Sequence, residues 1–280
     1  MAIVAGLTFL PIGFAETRAA PVPEDREVST REVPYMARVL VNESASSGGE
    51  KWRHDCGGTF VSPVRVLTAA HCVIGSAPSE SGGSEALVYP PGMFRVAHGS
   101  DEMAPSGGEV RAVSDIWFYP GYTRERGSLG EIPDVAILTL DSPVPEAEAL
   151  PLATAGDAGA YAPGTEGTVS GWPRGGDHLR QVRATVIDRA ECDFAMAPEG
   201  APQPPTGSTS GSGSRGQARP EKYFCARAAV RPGDSGSAFV WQDKVIGIMS
   251  QGKSMDGTEQ RLAAFTNTLA ISAELASHIS

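Results

Sequence analysis

Apolar positions in this chain fall into ten short runs, at 35–41, 64–67, 94–98, 110–118, 135–140, 168–172, 182–187, 239–241, 245–249 and 262–266, with turn-rich stretches between them. Several alternate apolar and polar residues at period two or are dense in Val and Ile, as buried strands are. So many short strands predict sheet packed on sheet or a barrel. Helical spacing is convincing only at about 268–280, where Ile271, Leu275 and Ile279 recur every four residues and share a face.

Residues 1–15 are apolar, fall short of the ~20 residues a membrane helix needs, and end in Gly13-Phe14-Ala15, as a signal peptide does. No Lys or Arg precedes Arg18, so the run also reads as an apolar strand. Residues 16–33 are charged and proline-bearing, and are expected to be a propeptide or flexible arm, with the folded domain beginning at Pro34. Three stretches, 42–50, 75–83 and 198–219, read as mobile insertions; the last has no large apolar side chain to anchor it.

The 280 residues suffice for one large domain or two small ones. Net charge is -10, which repels a phosphate backbone, so no nucleic-acid partner is expected. Beyond residue 15 no stretch reaches the length of a membrane helix, so the mature form is expected away from the membrane. Four cysteines without a CxxC pair exclude zinc-ribbon and thioredoxin-type motifs. Asp101-Glu102 reads as a surface turn rather than a calcium loop, and neither metal nor cofactor is expected.

Two segments carry candidate chemistry: Leu67-Thr68-Ala69-Ala70-His71-Cys72 and Gly233-Asp234-Ser235-Gly236-Ser237. A serine hydroxyl becomes a nucleophile when an imidazole takes its proton, and the imidazole needs a carboxylate to fix its tautomer. Asp134 is best placed, directly before the apolar run that would hold it. His54, His98, His178 and His278 have no such company and read as structural or solvated.

TAAHC at 68–72, DVAIL at 134–138 and GDSGS at 233–237, in that order, resemble the chymotrypsin/trypsin family of serine proteases. Weaker matches lie at Cys56-Gly57-Gly58, Tyr119-Pro120-Gly121-Tyr122, Ser170-Gly171-Trp172 and 179–192. The resemblance implies an all-β fold of two six-stranded antiparallel barrels, about 34–145 and 146–266, followed by the C-terminal α-helix. It implies a catalytic triad of His71, Asp134 and Ser235 in the cleft between them, and an oxyanion hole from the N–H groups of Gly233 and Ser235. It also implies disulfides Cys56–Cys72 and Cys192–Cys225, hence an oxidising compartment. Ala229 would form the base of the specificity pocket, Ser250 would border the buried aspartate, and Gly252 would pair with the substrate main chain, with Ala263 facing it. Such a pocket lacks a carboxylate, so Arg or Lys is not expected there. It suits Leu, Met, Phe or Tyr, while Arg231 nearby offers an attraction for an acidic side chain.

Two departures from the family stand out. Where an activated member begins with Ile or Val followed by Val-Gly-Gly, this chain has Pro21-Val22-Pro23-Glu24, so the usual amino-group partner of Asp234 is missing. The cysteine pair that braces the specificity pocket is also missing, with Arg231 at one of its positions. The expected function is a secreted, extracellular serine endopeptidase working through an acyl-enzyme on protein or peptide substrates, open to protein inhibitors. The alternative is a protease-like binding protein with little or no activity. An esterase is disfavoured, since its GxSxG elbow would need glycine where Ser237 stands.

Overall fold

The computed structural model describes residues 25–44, 48–80, 83–103, 108–125, 132–196, 221–254 and 261–279. In chain order its elements are β1 (Asp25–Glu27), β2 (Met36–Asn42), β3 (Trp52–Ser62), β4 (Arg65–Thr68), β5 (Ile74–Pro78), β6 (Ser84–Val88), β7 (Phe94–His98), β8 (Glu109–Phe118) and β9 (Ala136–Leu140). There follow β10 (Glu166–Gly171), β11 (Arg180–Val186), helix α1 (Arg189–Met196), β12 (Tyr223–Ala228), β13 (Ala238–Trp241), β14 (Lys244–Ser254), β15 (Arg261–Asn267) and helix α2 (Ser272–Ile279). All ten apolar runs have become strands.

The first barrel closes in the order β2-β3-β4-β9-β8-β7, all antiparallel. The second runs β11-β10-β13-β14-β15-β12 and closes through a β11–β12 pairing. Side-chain alternation builds its interior: Val182, Ala184 and Val186 of β11 join Phe224, Phe239 and Phe265 in one buried cluster. On β15 both faces are buried. Ala263 and Phe265 enter that interior, whereas Leu262 and Ala264 pack with Cys192 and Cys225 of the disulfide joining α1 to β12. This is why its run reads as continuously apolar rather than alternating.

The barrels share buried surface. Val240, Val245 and Ile248 of the second belong to the same cluster as Val39, Phe60, Val66, Val96, Val113 and Leu138 of the first. Ile271 and Leu275 join it as well, so the C-terminal helix docks on the first barrel, where the His278 ring stacks on Trp117.

Three expectations from the sequence need correction. The flexible arm ends before residue 25: β1 pairs with β11, and Val28, Thr30 and Val33 are buried. Thr30 donates from both N and Oγ1 to Asp101 Oδ1, at 2.5 and 2.8 Å, so Asp101 serves as a tie between segments. The stretch 75–83 contributes to the β5–β6 hairpin, whose outward face made its apolar signal weak. Of the stretch 42–50, the described residues are the end of the β2–β3 hairpin. Asn42 pins them, accepting from the N–H groups of Ser44 and Lys51 and donating to Gly49 O. The stretch 198–219 and residues 1–24 lie outside the described residues.

Candidate active site

His71 lies in a single 3-10 turn, Ala70–Cys72, directly after β4. The β4–β9 register pairs Thr68 with Ala136, which brings Asp134, two residues before β9 begins its ladder, alongside that turn. The carboxylate then holds the histidine twice: Oδ1 accepts from His71 N at 2.9 Å and Oδ2 lies 2.7 Å from His71 Nδ1. Ser250 Oγ donates to the same Oδ2 at 2.6 Å, and Thr266 Oγ1 donates to the Asp134 carbonyl at 3.1 Å. Burial alone pushes the Asp134 carboxyl up, but the charge and hydrogen bonds of His71, with the Ser250 hydroxyl, outweigh it and leave it below the usual range. An ionised Asp134 fixes the His71 proton on Nδ1 and leaves Nε2 as the basic nitrogen.

The half-buried Ser235 is positioned through its backbone. Its carbonyl accepts from Gly57 N at 2.8 Å; Gly57 follows Cys56, whose disulfide partner Cys72 follows His71. Gly236 is forced: its φ is +83°, and a Cβ there would collide with Thr68 Oγ1 and Gly57 O. Gly233, at φ +105°, would bring a Cβ to 2.7 Å from Trp172 O and 2.8 Å from Arg174 N. Arg174 N donates to Pro232 O at 2.5 Å, which turns the N–H of Gly233 to the opposite side of that trans peptide.

Asp234 is buried behind the serine and accepts from Arg231 N at 2.7 Å. Burial raises its pKa to about 7, against the pull of that bond and of the Arg231 charge. It lines a small cavity with Asp25, Ala229, Arg180 and Arg231. Gly252 pairs with Ala263 across the sheet, and a Cβ on it would be 3.6 Å from Val230 Cγ2. The candidate pocket residues 229, 252 and 263 are therefore neighbours through Val230 and the β14–β15 ladder. Both expected disulfides, Cys56–Cys72 and Cys192–Cys225, are present. Cys56, His71 and Cys72 form a cluster of metal-ligating types, but both sulfurs are spent in the bond.

Sequence reading overlooked three contributors. Thr266 had no signal beyond its strand. Arg174 touches the serine loop only through the fold. His54, read as structural or solvated, lies beside the serine loop: its Nε2 is 3.1 Å from Trp172 O, the atom that a Cβ on Gly233 would meet at 2.7 Å. Burial and the charge of the buried Arg38 push its pKa down to about 4, so the ring is neutral.

Two six-stranded barrels with these residues at their junction are those of the chymotrypsin/trypsin class of serine proteases. The chain matches the Trypsin family over residues 22–271. It is 31% identical over 230 residues to Trypsin of Saccharopolyspora erythraea, covering 76% of this chain and 85% of that one. Over 236 residues it is 28% identical to Trypsin zeta of Drosophila erecta, 80% of this chain and 73% of the relative. Trypsin zeta of Drosophila melanogaster is 26% identical over 277 residues, 90% and 89% of the two. The chain belongs to the trypsin family. Among the described residues no helix is long and apolar enough to cross a membrane.

Proposed function

We propose that the chain is a secreted serine endopeptidase in which Ser235 is the nucleophile, His71 the general base and acid, and Asp134 the group that orients and charges the imidazole. The supporting observation is the doubly hydrogen-bonded Asp134–His71 pair beside a serine loop that Gly57 and the Cys56–Cys72 disulfide tie to the same turn. In this reading His71 Nε2 takes the Ser235 proton as Oγ attacks the scissile carbonyl. The N–H groups of Gly233 and Ser235 stabilise the oxyanion, and His71 returns the proton to the leaving amine. Water then attacks the acyl-enzyme by the same route in reverse. Ser235→Ala and His71→Ala should each lower peptide hydrolysis by about 10⁴-fold or more, because the triad acts as a unit. A fluorophosphonate should label the parent and not Ser235→Ala. Labelling that survives in Ser235→Ala, or turnover that survives in either variant, refutes the assignment; a folded parent with neither labelling nor turnover is the binding-protein outcome.

The pocket residues Ala229, Gly252 and Ala263 carry no charge, so we infer cleavage after Leu, Met, Phe or Tyr. Each buried methylene contributes about 0.8 kcal/mol there. Peptide-library profiling checks this: dominant cleavage after Arg or Lys overturns it, and so does cleavage after Asp or Glu, the acidic preference that Arg231 beside Ala229 would favour. Residues 1–15 are proposed as the export signal, supported by two disulfides that suit an oxidising compartment; N-terminal sequencing of the secreted protein tests that.

A further inference from the structure

A groove of about 700 Å³ opens beside the serine loop, lined by Trp52, Arg53, Asp55, Met103 and Arg174, with Glu43 and Lys51 at one end. Its walls are tied to the proposed catalytic segment. Asp55 lies two residues before Gly57, whose N–H holds the Ser235 carbonyl, and Arg174 N holds the carbonyl of Pro232. β14, the strand that carries Gly252, holds the same loop at Gly236 and Ser237 through Met249. In the endopeptidase reading, a polypeptide whose acyl half runs along Gly252 passes Ser235 towards the side held by Gly57 and Arg174, where this groove opens.

Charge in the groove follows a single alternating chain. Lys51 and Arg53 share Glu43, at 3.1 and 2.5 Å, and Arg53 and Arg174 share Asp55, at 2.6 and 3.2 Å. The order Lys51, Glu43, Arg53, Asp55, Arg174 places three cations on two carboxylates, with a cation at each end. Both end cations are solvent-facing, their side chains 74% exposed for Lys51 and 61% for Arg174. Arg95 lies over the Trp52 ring but has its own carboxylate in Glu50, so it leaves the balance unchanged. His54 lines the groove as a neutral ring. The groove thus carries one surplus positive charge on a molecule whose net charge is -10. Trp52 and Met103 add an apolar floor against which the stem of a Glu side chain can lie.

We propose that this groove receives the leaving-group half of the substrate and selects an Asp or Glu side chain there, with Arg174 as the specificity-determining residue. A third carboxylate at the Arg174 end would extend the alternation by one place, and Arg, unlike Lys, can hold it through two parallel hydrogen bonds. The proposal rests on the endopeptidase reading, and it adds a preference on the side of the cut that the apolar pocket does not read.

The test uses internally quenched peptides with one common acyl half and leaving halves that differ only in carrying Glu, Ala or Lys at each of the first three positions. The full-length protein should cleave the best Glu peptide on the order of 5- to 10-fold faster in kcat/KM than its Lys counterpart, with the ratio shrinking at high salt, as an exposed ion pair requires. Arg174→Glu should reverse the Glu-to-Lys ratio, a readout that general loss of activity or partial misfolding does not move. Arg174→Gln should bring it near one. A ratio near one in the parent, or one unchanged in Arg174→Glu, overturns the proposal while turnover itself leaves the endopeptidase reading standing. No turnover of any peptide, with Ser235 unlabelled by fluorophosphonate, overturns both.

Discussion

Asp234 and His54, both buried beside the serine loop, have opposite titration behaviour. The His54 pKa is lowered from 6.5 to about 4, so its contribution to stability is present above 6.5 and is lost as pH falls through about 4. The Asp234 pKa is raised from 3.8 to about 7, so its contribution is present below 3.8 and is lost as pH rises through about 7. Between about pH 4 and 6.5 the two slopes oppose each other, and the parent's stability is held flatter there than either group alone would leave it. Replacing one group unmasks the other. Relative to the parent, His54→Gln should gain stability as pH falls from 7 to 4.5, and Asp234→Asn should gain it as pH rises over the same interval. Urea midpoints at both ends of the window check this; differences of the same sign for the two variants contradict it. At this scale the sequence was informative wherever chemistry is packed into a local string: TAAHC, the Asp before a strand, and GDSGS. It placed Ser250 beside Asp134 only through the family resemblance, and was silent on Thr266 bonding the Asp134 carbonyl and on His54 bonding Trp172 O. Those contacts join residues more than a hundred positions apart and depend on how two barrels meet.

Among the elements, the legible strands were those whose apolar residues run together or alternate. The strands overlooked carry different signals. β3 mixes Arg53, His54 and Asp55 with Gly57 and Gly58, because one end faces the charged groove and its middle must approach the serine loop closely. β12 has an Arg and a Cys among few large apolar residues, yet Phe224 and Ala226 point inward and Cys225 outward to the disulfide. β1 has no apolar residue and is held by its ladder to β11 and by the Arg180–Asp25 ion pair. That short strap leads into the buried Val28 and Val33, so the folded unit includes residues before Pro34. A chain beginning at Pro34 should be less stable than one beginning at Asp25, by up to about 3 kcal/mol from the two buried valines, set against the entropy of ordering the strap. Equal denaturation midpoints for the two would return this segment to the status of a free arm.

Across the whole molecule, the position of the site at the seam between barrels makes the seam part of the chemistry. Asp134 comes from the first barrel, while Ser250 and Thr266, which hold it, come from β14 and β15 of the second. The seam is also part of the core, since Val240, Val245 and Ile248 are buried in the same cluster as the first barrel's interior. The second barrel has its own interior around Phe224, Phe239 and Phe265, but Val240, Val245 and Ile248 bury part of its wall in the first barrel's core, so the two should unfold together. Ile248→Ala, at a fully buried position, should cost on the order of 2–5 kcal/mol and yet preserve one cooperative transition. Hydrogen exchange under mild denaturant is the decisive measurement, because it reports strands of each barrel separately. Amides of β9 and β14 should reach the same opening free energy in the parent and fall together in the variant. If β14 opens first while β9 keeps its protection, the barrels are separate cooperative units, and the hydrogen bonds from Ser250 and Thr266 would then break well below global unfolding, taking the Asp134–His71 geometry with them.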